Sequence, residues 1–180
     1  GSVPLDARAT GRANPTVEGR TATQLVVNGD FAVRNATNFI PGQASVEWVN
    51  GIIELTPSSV APVPNYRYAG NKCVNGEKYF VFARVKGNAN TDSITIRYRD
   101  WDAGISVGDG VFSTGLADWQ TIYSIATVDK DGNAGGTQVV FNQDSVSSPT
   151  CFIDYMGLIN LTSIYGAGNE PSEADCAKIF

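Results

Sequence analysis

The stretch RYRDWD, Arg97 to Asp102, brings arginine, aspartate and tryptophan, all capable of recognition or catalysis, into six positions. Arg97 and Arg99 stand two apart, which on a strand turns both forked guanidiniums to one face. Such a pair suits sugar hydroxyls or the carboxylate of an acidic glycan; the plainer use is a solvated face beside nearby acids. Trp101 sits between Asp100 and Asp102 where a strand is expected to end. It is either a flat platform for the C–H face of a sugar ring or packing under its own loop. Tyr66 and Tyr68 flank Arg67 after a proline stretch and read as a loop-borne stacking pair. Trp48 and Trp119 read as core residues.

Catalysis has few means here. The chain has no histidine, so Ser-His-Asp and Cys-His chemistry are excluded within it. Asp100 and Asp102, or Asp129 and Asp131, offer paired carboxylates for a polysaccharide hydrolase. Retaining chemistry needs them about 5 Å apart across a glycosidic bond, and pairs spaced by two are far commoner in turns. Asp129 to Asn133 opens like a calcium loop, but its twelfth position is Val140, where a bidentate glutamate belongs. The runs GVFSTG and GDG lack the lysine that a phosphate loop requires.

The elements that must position these residues are β-strands. Charged residues make up 17% of the 180 and hydrophobic ones 42%, with 19 glycines, a balance that favours a β-rich packed domain. The net charge of −5 argues against nucleic acid and anionic membranes as partners. No apolar run reaches the roughly 18 residues a membrane helix needs. Cys73, Cys151 and Cys176 make no CxxC motif. Cys151 reads as a core residue, with a Cys73–Cys151 bridge left open. Gly1-Ser2 reads as a cloning scar.

Residues 1–23 show no sustained periodicity and read as an arm or linker. Residues 24–165 carry eight to ten short strands. Asn50-Gly51 between two apolar runs marks a hairpin. SSVAPVPNYRY, with its prolines, reads as a loop or edge segment. EKYFVFARVKG and DSITIRYRDW alternate as half-buried strands. WQTIYSIATVD and TQVVFNQD, flanking KDGNAGG, predict a second hairpin. TCFIDYMGLINLTSIYG reads as one long closing strand, with no helix expected before Pro171. Residues 166–180 form a turn and a short helix, in which Ser172 and Asp175 have capping-box-like spacing. Two turns of helix are unstable in isolation, so this one belongs to a longer polypeptide or docks on the sandwich or a partner. The fold class is all-β, a two-sheet antiparallel sandwich.

Two stretches carry a family resemblance. LVVNGDF, Leu25 to Phe31, resembles the opening strand of jelly-roll carbohydrate-binding modules. Ile153 to Phe180, with its Gly166-Ala-Gly-Asn-Glu-Pro-Ser172 element, is similar to the closing segment of such domains in bacteriophage tail and minor structural proteins. The resemblance implies a jelly roll on a virion tail, acting at the host cell surface by binding host polysaccharide without catalysis. It also implies that the first and last strands are neighbours, so that Asp30 and Asp154 could hold a structural Ca2+; the alternatives are an Asx-turn at Asp30 and a strand-edge Asp154. Relatives often carry a tryptophan soon after the opening turn where this chain has Phe39, so a binding role for that tryptophan does not carry over. A second reading is a structural spacer in a tail or baseplate, its arm clasping other tail subunits, for instance in a homotrimer.

Overall fold

The computed structural model describes residues 16–17, 20–21, 25–26, 29–31, 37–58, 63–108, 117–143 and 150–179. The expected arm falls largely outside them. Within it, β1 (Thr16–Val17) and β2 (Arg20–Thr21) pair as a short antiparallel ribbon.

Ten strands then build two antiparallel sheets, so the chain is a β-sandwich as expected. In chain order they are β3 (Phe39–Gly42), β4 (Ala44–Val49), β5 (Ile52–Pro57), β6 (Asn65–Asn71), β7 (Lys78–Lys86), β8 (Thr91–Asp100), β9 (Ile105–Val107), β10 (Gln120–Thr127), β11 (Gly135–Gln143) and β12 (Cys151–Asn160). One sheet runs β10-β7-β12-β5-β4 and the other β3-β6-β11-β8-β9. Alternate residues of both point inward to a shared core that includes Ile53, Leu55, Val81, Val85, Ile94, Ile96, Val139, Phe141 and Met156. The three cysteines are free buried thiols, so Cys73 and Cys151 are not bridged. Burial pushes the Cys151 thiol up to about 11, and the hydrogen bonds it receives from Thr91, Gln143 and Asn88 offset only part of that shift.

Asn50-Gly51 makes the turn between β4 and β5 as expected, both residues having positive φ, 51° and 79°. Four local expectations are corrected. Asn65–Asn71 is an interior strand, bonded to β3 and β11, because the prolines before it stop short of its ladder. The runs either side of KDGNAGG do not pair with each other: β10 joins β7, while β11 joins β6 and β8 in the opposite sheet. The Asp-Gly signal there marks a crossing between layers. A helix precedes Pro171, since the closing strand ends at Asn160 and α1 (Leu161–Tyr165) follows, the Asn160 side chain accepting a hydrogen bond from the Ser163 N–H at 3.0 Å. Finally, β7 is buried on both faces.

That last finding explains the chain's helical end. Phe80 and Phe82 point away from the main core, and with Tyr155 and Ile159 they form an apolar outer surface. α1 and α2 (Glu173–Ile179) cover it with Leu161, Ile164 and Cys176. Short helices gain stability from such packing and not from propensity. Ser172 caps α2 by accepting from the Asp175 N–H at 3.2 Å, and its hydroxyl donates to the Asp175 carboxylate at 2.7 Å. The glycine-rich turn between the helices is pinned by Glu170. Its carboxylate accepts from the Thr162 hydroxyl at 2.6 Å and the Gly168 N–H at 2.9 Å, with Lys78 at 3.8 Å. These contacts hold Glu170 below the usual carboxylate range, the Thr162 bond contributing most.

The opening segment lies beside the closing strand, as the resemblance implied. The Leu25 N–H donates to the Leu158 carbonyl at 2.9 Å, and the Met156 N–H donates to the Gly29 carbonyl at 2.8 Å. β5 accompanies β12 only from Cys151 to Ile153. An irregularity between Ile153 and Tyr155 marks where the opening segment takes over. Gly29 is required by this approach, since a Cβ there would stand 2.2 Å from the Met156 carbonyl oxygen. Phe31, at positive φ, anchors the turn in an aromatic cluster with Phe39 and Trp48, both 5.5 Å away between ring centroids, and Tyr66 at 6.0 Å. Gly29→Ala should therefore destabilise the domain by about 2–3 kcal/mol. Thermal melting monitored by circular dichroism should show a midpoint lower by about 5–10 °C.

Candidate functional site

The helices occupy much of the outer face of one sheet; on the outward side of β3-β6-β11-β8-β9, Arg67, Gln138, Arg97 and Arg99 are half-buried, while the outward pair Thr95 and Val140 farther along is buried. Strand register sets its contents. Ile40, Arg67, Gln138 and Arg97 lie opposite one another in a single row across four strands. The Arg97 Nε donates to Gln138 Oε1 at 3.1 Å, and Gln138 Nε2 donates to Asn65 Oδ1 at 2.7 Å. A neighbouring row carries Ala69, Gly136, Arg99 and Ser106. The Arg67 stem crosses β11 at Gly136, where a Cβ would come within 2.9 Å of it. The face is thus a sheet of planar guanidinium and amide groups over a backbone kept bare at Gly136.

Trp101 stands at one end of this face, in the turn after β8. The residue is 67% exposed, more than any other large apolar residue among those described. The Arg99 guanidinium lies 3.5 Å from the ring centroid, a cation–π contact that holds the indole broadside at the end of the strand. Of the two readings of Trp101, packing under its loop does not describe so exposed a ring. Trp48 is half-buried against the core beside Phe31. Trp119 is half-buried on the other sheet's outer face, with the Arg84 guanidinium 5.1 Å above it and Phe152 at 6.3 Å.

Tyr66 and Tyr68 correct the expectation of a loop-borne pair. Both are buried inward-facing residues of β6, and burial pushes the Tyr66 hydroxyl up to about 12. Period-2 alternation along NYRY sends the tyrosines in and Asn65 and Arg67 out. Asn65, Arg67 and Gln138 are the face residues that sequence reasoning missed. The alternation around Arg67 was the signal that could have found them.

Asp100 is a structural clamp. Its carboxylate is 1% exposed and accepts hydrogen bonds from the N–H groups of Ala103 at 3.1 Å, Asn133 at 2.6 Å and Ala134 at 2.9 Å. Burial alone would raise its pKa, but these backbone donors outweigh it and hold the group below its ordinary value. A carboxylate so engaged fixes the Trp101 turn against the loop entering β11 and is not placed for general acid–base work. Asp131 is likewise engaged, accepting from the Asn75 N–H at 2.9 Å.

Asp30 and Asp154 come to the same junction, where the opening segment meets β12, and both are buried. Asp154 accepts from the Arg84 Nη1 at 2.8 Å. Two carboxylates suit a hard cation in kind, yet among the described residues no cluster of three or more metal-binding side chains exists. A calcium ion there would depend on backbone oxygens and would share Asp154 with Arg84.

With this geometry in view, the likeness to solved structures is informative about fold. A family 4 carbohydrate-binding module matches over 69% of this chain and 96% of its own, with a TM-score of 0.54 at 8% identity. An arabinose-bound α-L-arabinofuranosidase matches over 92% of this chain and 30% of its own, with a TM-score of 0.59 at 15% identity. The enzymatically active domain of tailspike protein 4 from bacteriophage CBA120 matches over 75% of this chain and 21% of its own, with a TM-score of 0.52 at 15% identity. No protein-family model and no curated protein matches the sequence. The shared feature is the sandwich, the fold of carbohydrate-binding modules. The chain spans under a third of the two larger proteins.

The Asp100 clamp makes a prediction with a definite pH dependence. Because its folded pKa lies below the unfolded value of about 4, its contribution to stability is present above that value and lost as pH falls through the folded pKa. Asp100→Asn should cost about 2 kcal/mol at pH 7 in urea titrations. The gap to the natural protein should narrow below about pH 4.

Proposed function

We propose that the chain is a non-catalytic glycan-binding module that serves host-surface adhesion as part of a virus tail protein. The observation that carries this reading is Trp101. Leaving a large aromatic face in water forfeits its burial free energy, and saccharide rings are natural partners for such a face. Beside it, the Asn65–Gln138–Arg97 network and Arg67 offer the fixed planar donors that sugar hydroxyls require. The fold shared with a carbohydrate-binding module supports the saccharide, and the fold shared with a tailspike domain supports the tail setting. The closing GAGNEPS element, which resembles phage tail domains, serves in this chain as the turn that seats the helices.

Titration with host cell-wall polysaccharide, or a glycan array, tests the proposal. Binding is expected, and Trp101→Ala should weaken it at least about tenfold with the fold intact. Absence of binding to every host-surface preparation, with calcium present, would count decisively against it.

The Asp30–Asp154 junction is proposed to take a structural calcium ion that ties the two ends of the sandwich together. Its expected signature is a melting temperature raised by Ca2+ and lowered by chelator, with the response absent in Asp30→Asn. An identical melt in calcium and chelator would remove the ion from the account.

A further inference from the structure

We infer that the saccharide taken by this face is anionic, and that Arg67 is the residue that receives its carboxylate or phosphate. The inference rests on the glycan-binding reading of the same face.

Arg67 is half-buried on β6, the second strand of the sheet, between Ile40 on one side and Gln138 on the other. Among the described residues no hydrogen bond or ion pair engages its guanidinium. Its forked donors are left without a protein acceptor, and that weakly hydrated fork matches a carboxylate or a phosphate. Among the described residues, the strands of this face offer no outward carboxylate beside it. β3, β6, β9 and β11 contain no aspartate or glutamate. On β8, Asp92 lies near the far end, and Asp100 is turned inward and engaged by backbone N–H groups. Three arginines, Arg67, Arg97 and Arg99, occupy outward positions of this one face in a protein of net charge −5. A basic face on an acidic protein concentrates attraction where a polyanion would lie and repels it elsewhere.

The geometry favours an anionic group that presents two oxygens side by side. Gly136 leaves β11 without a side chain beneath the Arg67 stem, so the guanidinium lies along the sheet. A planar fork in that attitude can meet a carboxylate or a phosphate bidentately. Trp101 at the end of the face would take an adjoining sugar ring.

Isothermal titration with three probes tests this. Polygalacturonate supplies carboxylates, its fully methyl-esterified form supplies the same chain uncharged, and poly(glycerol phosphate) teichoic acid supplies phosphates. Binding of either polyanion at least tenfold tighter than the ester is expected. It should weaken with added salt, fall at least tenfold in Arg67→Gln and be partly kept in Arg67→Lys, with unchanged melting temperatures. The polyanion preferred identifies the acid. Equal binding of charged and esterified chains, indifferent to Arg67→Gln, would overturn the anionic inference and leave the glycan reading standing. Failure to bind these probes or any neutral glycan would overturn both.

Discussion

An apolar outer surface on one sheet governs the rest of this molecule. Phe80, Phe82, Tyr155 and Ile159 face away from the central core, and water is no acceptable neighbour for them. Each such side chain is worth about 1.5–3 kcal/mol when removed from solvent. α1 and α2 supply the cover, and Glu170 locks the turn between them to the body of the domain. A sandwich so covered is asymmetric. One sheet carries a third layer of helices, and the other turns a set of half-buried arginine and amide side chains outward.

The asymmetry also separates the buried residues that stabilise the fold from the polar residues that the strands turn outward. Asp30 and Asp154 are buried at the junction of the opening segment with β12, and Phe31 anchors that segment among aromatic rings. Asp100 secures the turn that presents Trp101 without itself being exposed. Alternation turns Asn65 and Arg67 on β6, Gln138 on β11, and Arg97 and Arg99 on β8 outward. Their rigidity comes from ladder hydrogen bonds and from the Arg97–Gln138–Asn65 network.

Strand content was legible from composition and period-2 alternation, and the Asn50-Gly51 turn from its demand for two residues at positive φ. Pairing was less legible. KDGNAGG looks like a hairpin because its glycines permit tight turning, yet Asp100 holds Asn133 and Ala134 so that β11 leaves for the opposite sheet. The exposure of Trp101 agrees with the charges on either side of it in sequence. Tyr66 and Tyr68 were misplaced because nearby prolines obscured a strand whose alternation buries both. Arg67 was passed over for the same reason.

The sequence by itself determined an all-β sandwich, a helical close and the absence of histidine-based chemistry, because these follow from composition, local periodicity and residue inventory. Tertiary structure alone decided which sheet is covered, which arginines share a row and where Asp100 spends its charge. Those are properties of register and layer packing, set by contacts between residues dozens of positions apart, and no local pattern encodes them.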